Sequence, residues 1–134
     1  MESGIPIQRG EEQSKIIKAW KELKITKVNN KTQKRLLDIS GWEKKETTKI
    51  ESELARIQSK QTNKNCFPQR KMDIKKMEKS EKLRSKKAAV HAKAQEKKAH
   101  VQTRRAREIL DAEEEAARFQ ATGQIPKKSS LSCF

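Results

Sequence analysis

Few side chains in this sequence carry chemistry of their own: two cysteines, Cys66 and Cys133, and two histidines, His91 and His100. Cys133 is followed by Phe134 alone, which rules out prenylation, since that signal requires three residues after the cysteine. S-acylation asks only for an accessible thiol near a membrane. Lys127 and Lys128 stand just upstream, with Ser129–Ser132 as spacer. Two cysteines cannot make a disulfide framework, and Cys66, in a polar stretch, is expected to be a free thiol. His91 and His100 are nine residues apart, roughly opposite each other around a helix, so they cannot share a metal within one helix. No nucleophile with a base, carboxylate pair, zinc-type spacing or glycine-rich phosphate loop is present. Catalysis, a metal and a cofactor are therefore not expected.

The 134 residues carry a formal charge of +15, unevenly spread. Residues 58–105 hold 16 Lys or Arg against 4 acids, whereas residues 106–119 hold 2 against 5. A basic block of this kind implies an anionic partner: nucleic acid, an anionic lipid surface or an acidic protein. Hydrophobic residues make up 32% and aromatics 4%, so the chain can bury stripes but not a large globular core. The opening MESGIPIQRG lacks the apolar core of a secretory signal, which points to an intracellular chain. No stretch approaches the roughly twenty apolar residues of a spanning helix, so membrane contact would be peripheral.

The elements that would position these groups are helices. Lys, Glu, Ala and Leu dominate, with 4 Gly, 3 Pro and no Tyr, which favours helix over strand. Ile16, Ile17, Trp20 and Leu23 recur at helical spacing, and Ser14 is a candidate cap. A polar stretch at Asn29 and Asn30 is expected to interrupt. Leu36, Ile39, Trp42, Ile50, Leu54 and Ile57 then renew the pattern as a narrow coiled-coil seam, with Gly41 its weak point. Residues 61–71 contain Pro68 and no apolar period, predicting a break. Beyond it, Met72, Met77, Leu83, Val90, Ala94, Val101, Ile109, Ala112, Ala116 and Phe119 form a weaker seam. That helix should stop near Gly123, ahead of Pro126.

Over residues 106–119, Ala106, Ile109, Leu110, Ala112, Ala116, Ala117 and Phe119 share one half of the helical wheel, with Glu113 intruding. The opposite half is acidic: Glu108, Asp111, Glu114 and Glu115, with Arg118. Helices lying in anionic membranes usually present lysines instead, so this segment is expected to dock on a partner helix, with the basic block as its complement.

At this point the residues resemble a family. IIKAW (16–20), KTQKRLLDISGWEKKETTKIESELARI (31–57), KAAVHAKAQEKKAHVQTRRAREILDAEEEAARFQATGQIPKK (87–128) and the terminal Cys-Phe are similar to the C-terminal region of plant remorins. The resemblance implies an oligomeric coiled-coil protein at the cytosolic leaflet of the plasma membrane, concentrated in sterol-rich nanodomains and anchored by its last two dozen or so residues. It further implies association with phosphoinositides and sterols, S-acylation at Cys133, pairing with related chains, and control of membrane-associated signalling. On this reading Ile125, Lys127, Lys128, Leu131 and Phe134 contact the membrane.

The sequence departs from the family pattern in carrying about eleven extra residues near Gln61–Lys71. Eleven residues would be three full turns and preserve phase, but Pro68 opposes this. It also has SSLS (129–132) where leucines and glycine are commoner, a more polar spacer that weakens direct insertion. The long variable N-terminal region of many remorins is nearly absent.

A single acyl chain gives reversible binding, on the order of 10⁴ M⁻¹ for myristate. Each basic residue near an anionic surface adds about 1 kcal/mol, so Cys133 with Lys127 and Lys128 would meet the two-signal condition for stable anchoring. Oligomerisation would raise the effective concentration of every tail.

The expected fold is all-α: residues 1–13 as a short flexible N-terminus, 14–122 as a helical coiled-coil region broken near 61–71, and 123–134 as an anchor tail. The competing reading is a basic helical protein that binds nucleic acid or another polyanion. Against it, the residues after the basic block are too few for a leucine zipper, and Trp20 and Trp42 fall on the seams rather than serving as base-stacking platforms.

Overall fold

The computed structural model describes residues 4–62 and 70–126, with side chains described for 10–59 and 72–126. It consists of two α-helices, α1 (Gly4–Thr62) and α2 (Arg70–Thr122), and no strand occurs among the described residues. The protein is all-α, as its composition and periodicity predict.

As in most proteins, the two helices draw the larger part of their stability from packing of an apolar stripe and the smaller part from propensity. Pro6 falls in the first turn of α1, where a missing N–H costs nothing. At the other end Gly123 adopts φ +73°, the left-handed conformation that closes a helix after Thr122, and Pro126 follows.

Three local expectations give way to packing. α1 begins at Gly4, ahead of Ser14, so residues 4–13 are helical and Ser14 is interior rather than a cap. Its Oγ instead lies 3.4 Å from Gln120 Oε1 on α2. The helix also runs unbroken through Asn29 and Asn30, because Asn29 is engaged elsewhere: its Oδ1 accepts a 2.8 Å bond from Arg105 Nε. Tied across to α2, that amide no longer competes for its own backbone. Gly41 is likewise helix interior, its cost of about 1 kcal/mol absorbed by a long, well-packed element.

The predicted break coincides in part with helix. Gln61 and Thr62 end α1, and Arg70 and Lys71 open α2; residues 63–69, with Cys66 and Pro68, lie outside the described residues.

The chain divides into two compact units. The first joins the part of α1 up to Arg35 with the part of α2 from His100 onward. Its helices are antiparallel: Gln13 donates to the Gly123 carbonyl, Lys24 meets Glu115 at 3.4 Å, and Asn29 meets Arg105. The second unit spans Leu36–Ala99 and is antiparallel too, pairing Glu43 with Lys98 and Glu51 with Lys87. In each unit the apolar stripe of one helix is covered by the other helix of the same chain.

Buried positions recur every eleven residues. Ile17, Val28, Ile39 and Ile50 on α1, and Leu83, Ala94, Arg105 and Ala116 on α2, are all buried or half-buried. Eleven residues occupy three turns at about 3.67 per turn, close to the intrinsic period, so these positions return to one face of each helix.

Candidate interaction surfaces

In the first unit, Ile17 and Trp20 from α1 meet Ala116 from α2, with Phe119 packed alongside. Ile17 and Trp20 are the largest fully buried side chains among the described residues. Phe119 presents its ring to Trp20 at 5.1 Å and 89°, the edge-to-face geometry that aromatic quadrupoles favour. Lys24 Nζ lies 4.7 Å from the Trp20 ring centroid and also pairs with Glu115. The Trp20 Nε1–H is buried with no hydrogen-bond partner among the described residues. Of the four apolar residues expected to share this face, Ile16 and Leu23 are turned outward, 41% and 52% exposed. A seam between only two helices is too narrow for all four.

Beside this core an open groove of about 360 Å³ runs between Lys24, Lys27 and Lys31 on α1 and Glu108, Asp111 and Glu115 on α2. The acidic face of residues 106–119 thus meets basic residues of α1, rather than the basic block at the start of α2. Within that segment Ala112 and Ala116 are buried and Ile109 and Phe119 half-buried, while Ala106, Leu110 and Ala117 face solvent.

The second unit is built around Ile50 and Leu83, with Ala94 fully buried. Buried Thr47 satisfies its hydroxyl by donating to the Lys44 carbonyl at 3.1 Å. One flank is laced with charge pairs. Glu51 Oε1 lies 2.8 Å from Lys87 Nζ. Glu43 Oε2 lies 2.8 Å from His91 Nδ1, and its Oε1 lies 3.5 Å from Lys98 Nζ. The Glu43 carboxyl is held below its ordinary 4.5, chiefly by the His91 hydrogen bond, which outweighs the opposing cost of desolvation, with the nearby Lys98 charge and hydrogen bond adding to the lowering. Glu51 is lowered by its bond to Lys87 and the attraction of that charge. On the other flank Lys97 Nζ stands 4.0 Å from the Trp42 ring centroid, a cation–π contact.

Among the seam residues named from the sequence, Ile50 and Leu83 are buried, and Leu36, Ile39, Trp42, Leu54, Ile57, Val90, Val101 and Ile109 are half-buried. Met72 and Met77, expected on the second seam, are 45% and 62% exposed. Ile125 is 50% exposed. Lys127, Lys128, Leu131, Cys133 and Phe134 lie outside the described residues. Sequence reasoning missed Glu43, Asn29 and Arg105, polar residues at seam-facing positions. The eleven-residue spacing that places Arg105 in line with Leu83 and Ala94 was the available signal. His91 and His100 do not come together, and among the described residues no group of three or more His, Cys, Asp or Glu is arranged to hold a metal. No described helix is long and apolar enough to cross a membrane.

Comparison with known proteins agrees with the motifs. Residues 11–128 match the family model described as Remorin, C-terminal region. A curated relative, Remorin of Solanum tuberosum, is 36% identical over 118 residues, which is 88% of this chain and 54% of the relative. The chain therefore spans about half the length of that relative. No solved structure matches. With the family's C-terminal region matched along nearly the whole of α1 and α2, the chain belongs to the remorin family.

Proposed function

We propose that this chain is a non-enzymatic, oligomeric scaffold held peripherally at the cytosolic leaflet of the plasma membrane, where it organises sterol-rich nanodomains and the signalling proteins within them. The observation that carries this reading is the match to the remorin C-terminal region over residues 11–128. The composition agrees: the charge of +15 suits an anionic surface.

The anchor is the tail. Cys133 takes an acyl chain, Lys127 and Lys128 bind anionic headgroups such as phosphoinositides, and Ile125, Leu131 and Phe134 contribute apolar contact. Neither signal suffices alone, since one acyl chain binds reversibly and two lysines contribute about 2 kcal/mol. Self-association, or pairing with related chains, gathers several tails onto one surface.

Fractionating cells that express the full chain, tagged at its N-terminus, tests the reading. With Cys133→Ala, Lys127→Ala and Lys128→Ala combined, the protein should move from the membrane to the soluble fraction. Membrane association unchanged in that variant would overturn the anchor. An intact protein that ignores anionic vesicles and binds DNA with a steep salt dependence would favour the polyanion reading instead.

A further inference from the structure

The charge pairs that join α1 to α2 in the second unit are one-sided. Glu43 and Glu51 bind Lys98, His91 and Lys87 along one flank of α2. On the opposite flank stand Lys75, Lys79, Lys82, Lys86 and Lys93, all exposed. At about 100° per residue these five fall within a stripe about 60° wide, about 27 Å long at 1.5 Å per residue. None of them makes an ion pair with a described residue. Across the adjoining groove of about 530 Å³, Lys86 faces Lys49, Arg56, Glu46 and Glu53. Glu46 is 3.7 Å from Lys49, and Glu53 and Arg56 also line a small groove with Lys79, so basic side chains outnumber acidic ones on this side. Of the acids on α2, Glu78 and Glu81 border the stripe at one point, sharing a surface groove with Lys82. The flank is a row of five lysines that outnumber the acids beside it, a net positive stripe held on a packed helix.

We propose that this lysine flank is a second membrane-contact surface, lying lengthwise on anionic lipid headgroups and separate from the C-terminal tail. The inference rests on the peripheral-membrane reading above. A straight row on one side of a helix lets a plane meet all five charges at once. Its basic residues are all lysine, compact and strongly hydrated charges that suit diffuse headgroup attraction, with none of the arginine forks used to grip phosphates bidentately. No aromatic or large aliphatic side chain lies within the stripe, so it rests on headgroups without entering the acyl region and offers no platform for base stacking. The unit docks when the bilayer carries negative charge and lifts when that charge is screened.

Sedimentation of the full-length protein with vesicles tests this, using phosphatidylcholine alone and phosphatidylcholine mixed with phosphatidylserine. A flank variant combines Lys79→Gln, Lys82→Gln and Lys86→Gln. A control variant combines Lys44→Gln, Lys45→Gln and Arg84→Gln, exposed residues of the same unit outside the stripe, with the same loss of charge. Both are made with the native tail and with the Cys133→Ala, Lys127→Ala, Lys128→Ala tail. At about 1 kcal/mol per lysine, the flank variant should partition roughly a hundredfold less onto phosphatidylserine vesicles, and the control at most about threefold less, with either tail. Equal losses in flank and control variants would overturn the proposal. So would indifference of the intact protein to phosphatidylserine while it binds duplex DNA in a flank-dependent way. A tail variant that stays on vesicles until the flank is neutralised supports the flank and sinks the tail anchor. A tail variant that releases fully, with no flank effect in the native-tail protein, does the reverse.

Discussion

Phe119 of α2 sets its ring at 89° to Trp20 of α1, centroid to centroid 5.1 Å, closing the core of the first unit over Ile17 and Ala116. These rings are two of the five aromatic residues in the chain, which has 3 Phe and 2 Trp, so much of the unit's apolar burial is concentrated in one contact. Trp20→Ala should lower the unfolding free energy by about 3–5 kcal/mol, measured by urea denaturation followed by far-UV circular dichroism. Phe119→Ala should cost less, because Phe119 is only half-buried. The double variant should reveal a coupling of about 0.5–1.5 kcal/mol between the rings; strict additivity would mean that the edge-to-face geometry contributes nothing beyond area.

Glu43 makes the second unit acid-sensitive. Its carboxyl is depressed in the folded chain, so its contribution to stability is complete above the unfolded-state value and is lost as pH falls through the folded one. Glu51 behaves the same way. Denaturation midpoints should therefore hold steady down to about pH 5 and fall below it. In Glu43→Gln that fall should be shallower, because the variant has one fewer carboxylate to protonate. An unchanged slope would mean that the His91 and Lys98 contacts do not persist in solution.

Two glycines should respond in opposite directions. At Gly41 an added Cβ meets nothing within 4 Å in the interior of α1, so Gly41→Ala should raise stability by about 0.5–1 kcal/mol. Gly123 holds φ +73°, which a Cβ penalises by about 1–2 kcal/mol, so Gly123→Ala should fray the end of α2. Thermal melts of the two single variants decide it, and a stabilising effect at both positions would refute the left-handed stop.

What the sequence determined alone is the class of structure and the family. A chain of Lys, Glu, Ala and Leu with few Gly and Pro becomes helix whatever its partner, because those preferences are local. Contiguous motifs such as AARFQATGQIPKK can be read without knowing what they touch. The apolar period likewise placed Ile50 and Leu83 on seams before any partner was known.

Tertiary structure decided which partner each seam meets, and therefore where each helix starts and stops and which way polar residues turn. Asn29 reads locally as a helix breaker, yet it lies within α1 because Arg105, 76 residues away, satisfies its amide. Ser14 reads as a cap, but α1 begins at Gly4. Ile16 and Leu23 fit an apolar face and still end up exposed, because a two-helix seam covers only a narrow stripe. The one-sided charge pattern of the second unit was also invisible in the composition. Net charge counts lysines, whereas the fold decides which of them meet Glu43 and Glu51 and which are left along the opposite flank.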